Sequence, residues 1–384
     1  MKMLNAWTLE PDDTEAALAS ILGQLDLENN LLAHSIGFMT CSYDFIETGM
    51  VKAICDALPF DVVGGTSLAN GVNEEAGSML LCLTVLTADD CCFSSLLTPP
   101  LQGDVFPLVN EAYSCRENPA GETPGLILAF MPMIGTIGGE LLLVALDKAT
   151  GGVPVFGTVC CDYDTAEFTN TFVIHNGECY RDRMAMLLFS GNVRPHFVVM
   201  STSEHNQFKQ QAVITASEGT VLKSVNGVSP REYLTSIGLV QGSGIEGVSS
   251  IPFIVDYNDG TQPVARAIYS LNEDGSALCG GIMPKGGTLA LGRMDIEDIL
   301  WTAKSSVNKL LDIEECCGVI FFPCLGRNMV LGENPLAEVM TLNSLMGNTV
   351  PWHLAYSGGE VCPVYTENGT VNRFHNFTFI ACAL

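Results

Sequence analysis

Positive charge is scarce in this sequence. Of its 384 residues, 17 are Lys or Arg and 43 are Asp or Glu, which gives a formal net charge of −26. Nucleic-acid binding requires a basic surface, and an anionic membrane would repel an acidic chain. We therefore expect neither a nucleic acid nor a membrane as a partner, and we attribute the acidity to solubility.

Charged side chains of both signs are also infrequent. They make up 16% of the chain, whereas 47% of the residues are hydrophobic. Because soluble domains usually carry about 25% charged residues, this chain has a thin polar surface. The composition predicts large buried cores, enough for two domains, and favours a homo-oligomer interface.

The 15 cysteines lack the spacing of metal or redox motifs. No Cys-x-x-Cys occurs, and neighbours in the pairs Cys91-Cys92, Cys160-Cys161 and Cys316-Cys317 would point to opposite faces of a strand. The N-terminal residues do not resemble a signal peptide. We therefore predict reduced cysteines in a cytoplasmic protein, with no metal site and no cofactor.

A strand-helix-strand-strand pattern occurs three times, in residues 31–86, 125–175 and 318–384. In each copy a helix ends near a proline, and the strand that follows contains or precedes a glycine. A short helical link favours a right-handed crossover between parallel strands, and the last strand returns antiparallel. The sequence thus predicts an α+β fold with mixed β-sheets packed against helices, built from repeated units.

Several single elements can also be predicted from the local pattern. Apolar periodicity indicates helices over residues 45–58 and 296–311. Two strands within residues 212–225 read as a hairpin, and residues 280–291 read as a strand region. Residues 325–328, Leu-Gly-Arg-Asn, read as a polar turn.

The C-terminal residues resemble a known family. The order Cys324-x-x-Arg327, a helix with Glu338, Tyr356-Ser357-Gly358-Gly359-Glu360 and then His375-Asn376-x-Thr378 is similar to the C-terminal half of the FIST domain. Residues 155–158 and 225–234 extend the resemblance towards the N-terminus. It implies a FIST N-terminal-like domain over residues 1–194 and a FIST C-terminal-like domain over residues 195–384.

The resemblance also implies a function. FIST domains occur in signal-transduction proteins and next to F-boxes, and they are thought to sense small ligands, with amino acids as one candidate. This chain carries Gly65-Thr66-Ser67 where the family often has a Cys-Ser/Thr-x-Gly-Glu run, so ligand contacts from that loop are not expected. The predicted function is a non-catalytic sensor that signals through a separate partner protein.

Two charged residues are the first candidates for ligand binding. Ligands of sheets with parallel strands bind beyond the carboxyl ends of those strands. Arg327 follows an apolar strand and could hold a carboxylate, while Glu360, after two glycines, could hold an ammonium group. An internal salt bridge is the alternative for Arg327, and an exposed turn is the alternative for Glu360.

Four more residues complete the predicted ligand site. Tyr356 and Ser357 precede the glycines, and His375 and Asn376 precede the last strand. His375 could hydrogen-bond a ligand or carry a proton, although a buried histidine at a strand end is equally compatible with the sequence.

Two other functions stay open at this stage. Cys324, with His375, could be the nucleophile of a cysteine-dependent enzyme if its pKa were lowered. The thin polar surface could instead belong to an oligomeric interaction scaffold.

The Gly-rich loop 135–140 is a weak signal of a phosphate site, because no Lys-Ser/Thr follows it and Glu140 would repel an anion.

Overall fold

The computed structural model describes residues 1–73, 75–117, 121–163, 168–240, 250–313, 315–347 and 350–384. Three units follow one another along the chain, and each has the order strand, helix, strand, helix, strand, hairpin, strand. The first unit consists of β1 (Lys2–Thr8), α1 (Thr14–Leu25), α2 (Leu27–Asn30), β2 (His34–Cys41), α3 (Asp44–Glu47), α4 (Met50–Ala57), β3 (Val62–Thr66), the hairpin β4 (Asn70–Val72) and β5 (Glu75–Gly77), and β6 (Leu81–Ala88).

The second unit has the same order of strands, with one helix at each place where the first unit has two. It consists of β7 (Cys91–Leu97), α5 (Val105–Ser114), β8 (Leu126–Met131), α6 (Gly139–Thr150), β9 (Val155–Val159), the hairpin β10 (Val173–His175) and β11 (Glu178–Tyr180), and β12 (Ala185–Gly191).

The third unit is interrupted after its first strand, β13 (His196–Met200). The inserted region contains a 3-10 turn (Glu204–Asn206), β14 (Ala212–Glu218), β15 (Val221–Val225), α7 (Pro230–Ser236), β16 (Phe253–Asp256), β17 (Val264–Arg266), β18 (Ile268–Leu271), β19 (Ala277–Cys279) and β20 (Thr288–Leu291). The unit resumes with α8 (Ile296–Leu311), β21 (Val319–Pro323), α9 (Leu325–Leu331), α10 (Ala337–Met346), β22 (Trp352–Ala355), the hairpin β23 (Glu360–Thr366) and β24 (Gly369–His375), and β25 (Phe379–Ala383).

Each unit builds the core of one six-stranded sheet, and the three sheets have the same strand order. Read from the same edge, they are β1-β6-β2-β3-β10-β11, β7-β12-β8-β9-β23-β24 and β13-β25-β21-β22-β4-β5. In each sheet the helix-linked pair is parallel, namely β2 with β3, β8 with β9 and β21 with β22, and the last strand of the unit is antiparallel to it. The predicted α+β fold with mixed sheets and repeated units is confirmed.

The outer hairpin of every sheet comes from a different unit. The first sheet receives the hairpin of the second unit, the second sheet that of the third, and the third sheet that of the first. Equivalent backbone hydrogen bonds join the units where these hairpins begin: Thr66 N to Phe172 O (2.9 Å), Val159 N to Gly359 O (2.9 Å) and Tyr356 N to Ala69 O (3.1 Å). The three units therefore exchange hairpins in a closed ring.

The inner faces of the three sheets pack on a shared core. Phe38, Phe130 and Phe322 come from the three parallel pairs, and ring centroids lie 6.3 Å apart for Phe38 and Phe130 and 6.2 Å apart for Phe130 and Phe322. Hydrophobic burial of this kind is non-directional, so it holds the sheets together without fixing their register. The register is fixed by the strand pairing and by the exchanged hairpins.

One polar chain crosses this core at His353. Its Nε2 lies 2.8 Å from the Thr40 hydroxyl and its Nδ1 lies 2.8 Å from the Thr84 hydroxyl, which itself donates to Asn5 (2.7 Å). Because the Thr84 proton is used for Asn5, Nδ1 of His353 donates and Nε2 accepts. Burial lowers the pKa of His353 to about 3, so the imidazole is neutral.

The inserted region forms a seven-stranded antiparallel sheet of order β17-β16-β20-β14-β15-β19-β18. The hairpin predicted over residues 212–225 is present as β14 and β15, and α7 begins after Ser229 with a capping box that Ser229 forms with Glu232. Arg266 of this sheet is fully buried and donates to the Glu140 carboxylate of α6 (3.0 Å) and to the carbonyl oxygen of Phe374 in β24 (2.6 Å). The ion pair attaches the inserted sheet to the second unit, and the hydrogen bond to Phe374 attaches it to the third.

Three local predictions are wrong. The helix predicted over residues 45–58 is two helices, because Gly49 adopts φ 79° between them. The polar turn predicted over residues 325–328 is the first turn of α9. The strand region predicted over residues 280–291 is a strand only at β20, since Gly280, Gly281, Pro284 and the following glycines form a loop. The helix over residues 296–311 is confirmed as α8.

No helix in the described ranges is both long enough and apolar enough to cross a membrane.

Candidate functional site

The predicted site residues lie together at the carboxyl ends of β21 and β22. Cys324 follows β21 and precedes α9, and Ser357 follows β22; Leu325 N donates to the carbonyl oxygen of Ser357 (2.7 Å). His375 ends β24 and pairs in register with Glu360 of β23. All seven residues, the six predicted ligand-binding residues and Cys324, are buried.

Arg327 forms the internal salt bridge that the sequence left open as an alternative. Its guanidinium is fully buried, and it donates to Glu338 of α10 through Nε (3.0 Å) and Nη2 (2.5 Å). It also donates to Thr302 Oγ1 (2.8 Å) and to the carbonyl oxygens of Ile299 (3.0 Å) and Ser201 (3.2 Å). These contacts join α8, α9 and α10, and they engage all three nitrogens of the guanidinium.

Tyr356 belongs to the same network. Its hydroxyl donates to the second oxygen of Glu338 (3.1 Å), so Glu338 binds Arg327 with one oxygen and Tyr356 with the other. Burial, together with the neighbouring Glu338 carboxylate, raises the pKa of Tyr356 well above its ordinary value. The hydroxyl therefore stays protonated and acts as a donor.

Glu360 contacts Cys324 and not Arg327. Its carboxylate accepts the backbone N–H of Thr378 (3.3 Å) and neighbours the Cys324 thiol. Burial raises the pKa of both groups, and the Glu360 carboxylate raises that of the Cys324 thiol further. Since the thiolate is the nucleophile, this environment disfavours Cys324 as an activated cysteine.

His375 does not supply a base for Cys324. Its Nε2 lies 3.2 Å from the carbonyl oxygen of Cys362, and burial lowers its pKa to about 3. A general base works best with a pKa near the operating pH, which this imidazole is far from. In the parts of the chain that are described, no hydrogen bond joins His375 to Cys324.

A cavity of about 1040 Å³ opens beside these residues. Its wall comes from the loop after β8, the strand β18 of the inserted sheet, the start of α8, the start of α9 and the turn between β24 and β25. The described residues of the wall are Met133, Gly135, Phe168, Ser250, Ala267, Ile268, Tyr269, Met294, Asp295, Ile296, Cys324, Leu325, Gly326, Met329, Val330, Gly358, Asn376 and Phe377. The cavity thus lies beyond the carboxyl ends of parallel strands of two units, and residues 267–269 of the inserted region line one side of it.

Two of the predicted residues reach this wall. Cys324 and Asn376 line the cavity, whereas Arg327, Tyr356, Ser357, Glu360 and His375 are not among the described wall residues. Asn376 uses its Oδ1 to accept the backbone N–H of Ala267 (3.2 Å), which leaves its Nδ2 donor without an acceptor among the residues described. Ligand binding by the predicted residues stays a prediction, and the geometry favours Asn376.

The wall is mostly apolar, and its described part contains no Lys, Arg or His. Its one carboxylate, Asp295, caps α8 by accepting the N–H of Asp298 (2.9 Å) and accepts from the Arg293 guanidinium (2.7 Å). The Arg293 hydrogen bond, the largest cause, lowers the pKa of Asp295. The described part of the wall is therefore mostly apolar, with neutral polar groups and one acid that is already paired.

Sequence reasoning missed Tyr269, Arg266 and the inserted strands that carry them. Tyr269 lines the cavity, and its side chain is 55% exposed. A usable signal existed for Arg266, because a single guanidinium stands inside the apolar run Val264-Ala265-Arg266-Ala267-Ile268. A buried charge requires a partner of opposite charge, and that partner is Glu140. The sequence indicates Glu140 only as a residue that would repel an anion from the loop 135–140.

Two family models match this chain. The FIST N domain matches residues 35–228, and the FIST C domain matches residues 221–363. The two matches run from β2 of the first unit into β23 of the third. No curated protein matches the chain.

Proposed function

Because the chain belongs to the FIST family, whose domains are associated with sensory roles in signal transduction, we propose that it is a non-catalytic sensor. Its small ligand occupies the cavity between the second unit, the third unit and the inserted sheet. The observation that carries this proposal is the cavity itself, which lies beyond the carboxyl ends of β8, β21 and β22, where sheets with parallel strands bind ligands.

The chemistry of the wall supports binding rather than catalysis. Small-molecule sites are mostly apolar with a few oriented polar groups, and this wall has that character. Cys324, the one thiol in the described part of the wall, has its pKa raised by burial and so lacks the activation that a nucleophile needs.

The finer parts of the function are proposals as well. The family resemblance suggests amino acids as one candidate among small ligands, and a separate partner protein would receive the signal. We place the protein in the cytoplasm because its 15 cysteines are unpaired thiols. Formation of a homo-oligomer also stays a prediction.

A cavity-filling variant tests the proposal. Gly135 lines the cavity, and a Cβ built on it meets no atom within 4 Å, so Gly135→Leu extends into the open space. We would measure melting temperatures of the wild type and Gly135→Leu against a panel of amino acids and neutral aromatic compounds. A ligand that binds only the folded state raises the melting temperature with its concentration. We expect such a rise for the wild type and its loss in the variant.

Gly23→Leu is the matched control, because Gly23 of α1 also has open space around it but lies outside the cavity. This variant should keep the ligand-induced rise. If no compound stabilises the wild type, or if Gly135→Leu responds like Gly23→Leu, the cavity is not the sensory site and the proposal is wrong.

A further inference from the structure

The charge of the cavity wall restricts the class of ligand. A free amino acid brings a carboxylate and an ammonium group, and burying an unpaired carboxylate is costly. The described wall contains no Lys, Arg or His that could bind a carboxylate. Arg327 and Arg266 are not among its residues, and each is already paired, with Glu338 and Glu140 respectively. Asp295, the one acid among the wall residues described, is already bound by Arg293. A zwitterion therefore finds no matched pair of charges here.

The apolar part of the wall fits rings. Tyr269 and Phe377 contribute aromatic faces, and Met133, Met294 and Met329 contribute three thioethers. Methionine is flexible and polarizable and makes favourable contacts with aromatic rings, so it adapts a wall to ligands of different outline. The volume of about 1040 Å³ lies at the upper end of the range for drug-sized ligands. The space suits a ring system larger than an amino-acid side chain.

One hydrogen-bond donor is fixed in the wall. Asn376 is 2% exposed, and its side chain is held by the bond from Ala267 N to Oδ1. Its position is also constrained by Gly280, where an added Cβ would lie 2.3 Å from Oδ1. With Oδ1 used, the amide presents Nδ2 as a donor, and a donor requires an acceptor such as a carbonyl oxygen.

We infer that the cavity takes a neutral, largely apolar ring compound with a carbonyl oxygen, which accepts from Nδ2 of Asn376. This inference rests on the proposed function, since it names the ligand class of the same site. Free amino acids and other carboxylates are excluded because of their charge. The side-chain amide of Asn376 would orient the ligand.

The test compares two fluorescent compounds with the same ring system. The first is propionyl-dimethylaminonaphthalene, a neutral ketone, and the second carries a carboxylate in place of the propionyl group. Fluorescence titration of the full chain gives both dissociation constants. We expect the ketone to bind at least about tenfold more tightly than the carboxylate, because the carboxylate is left unpaired. Equal affinities, or tighter binding of the carboxylate or of free phenylalanine, would overturn the inference. That result would leave the proposed sensory function intact.

Asn376→Asp tests the assigned donor. The substitution keeps an acceptor for Ala267 N and removes the Nδ2 donor, so we expect ketone affinity to fall about five- to thirtyfold. An aminomethyl analogue of the same ring should gain affinity for this variant, because a carboxylate now faces its ammonium group. Unchanged ketone affinity in a folded variant would contradict the role of Asn376. If the variant does not fold, the comparison of ketone and carboxylate on the wild type still decides the inference.

Gly135→Leu again separates the two proposals. If the ketone binds both the wild type and this variant equally, binding occurs outside the cavity and both proposals fail. A second outcome is that Gly135→Leu no longer binds the ketone, while the wild type binds the ketone and the carboxylate with equal affinity. In that case only the inferred ligand class is wrong.

Discussion

Arg327 is a residue that the helices of the third unit require. Its replacement by Met would leave the fully buried Glu338 carboxylate without a counter-charge and would remove donors to Thr302 and Ile299. Breaking a buried ion pair from one side costs about 3–5 kcal/mol. We expect Arg327→Met to lower the free energy of unfolding by that amount in urea denaturation.

The double variant Arg327→Met with Glu338→Leu is the control for this prediction. It removes both charges, and apolar replacement of a whole buried pair is often nearly neutral. We expect it to be more stable than Arg327→Met. A single variant within about 1 kcal/mol of the wild type would show that the pair is not structural.

His353 makes the stability depend on pH. Its folded-state pKa is about 3 against an ordinary value of 6.5, so the unfolded chain binds the proton first and stability is lost as pH falls from 6.5 towards 3. Between pH 7 and pH 5 this one group should cost about 2 kcal/mol. The measurement is urea unfolding of the wild type and His353→Asn at several pH values.

We expect the asparagine variant, which keeps a donor and an acceptor for Thr84 and Thr40, to lose less stability on acidification. His34→Asn, at an exposed histidine, is the matched substitution and should follow the wild type. Parallel pH curves for the wild type and His353→Asn would contradict the assignment.

At the scale of the element, the glycines inside β3 and β9 permit close contact between parallel strands. A Cβ on Gly64 would lie 1.9 Å from the carbonyl oxygen of Met39, and one on Gly157 would lie 2.4 Å from that of Ala129. Both contacts are with backbone, which cannot rotate away. We expect Gly64→Ala to destabilise the protein by about 3 kcal/mol in denaturant unfolding.

Gly23→Ala gives the opposite expectation. Gly23 lies in α1, where a Cβ meets open space, and alanine is the better helix former by about 1 kcal/mol. A Gly64→Ala protein as stable as Gly23→Ala would show that the strands separate without cost.

The sequence predicts elements well where the information is local. The apolar periodicity of residues 296–311 and the Ser229-Pro230-x-Glu232 start of α7 each lie within one element, and both are present in the structure. It fails where distant segments decide. The sequence could not show whether Arg327 forms an ion pair with Glu338 or binds a ligand, because neither local pattern indicates that α9 and α10 face each other. The wall of the cavity could not be predicted either, because it joins residues that lie far apart in the chain, such as Met133, Tyr269 and Cys324.

At the scale of the whole molecule, the exchanged hairpins determine how the chain divides. The predicted boundary between residues 194 and 195 separates β9 from β23 and β22 from β4, which are paired in the intact sheets. We expect residues 1–194 expressed alone to be unfolded or aggregated, because β9 would become an unprotected edge. Circular dichroism and gel filtration would show this, and co-expression with residues 195–384 should restore a folded complex.

A monomeric, cooperatively unfolding fragment of residues 1–194 would contradict this expectation. It would mean that the first two units are stable without the strands that the third unit contributes.

The closed ring of hairpins also bears on how such a chain could arise. Each unit gives its hairpin to the unit before it around the ring and receives one from the unit after it, so three copies of a single short ancestor would pair every hairpin in a symmetric trimer. Fusion of the three genes would keep the same strand pairing within one polypeptide, and the later insertion into the last copy would leave a chain in which three similar sheets carry one additional sheet.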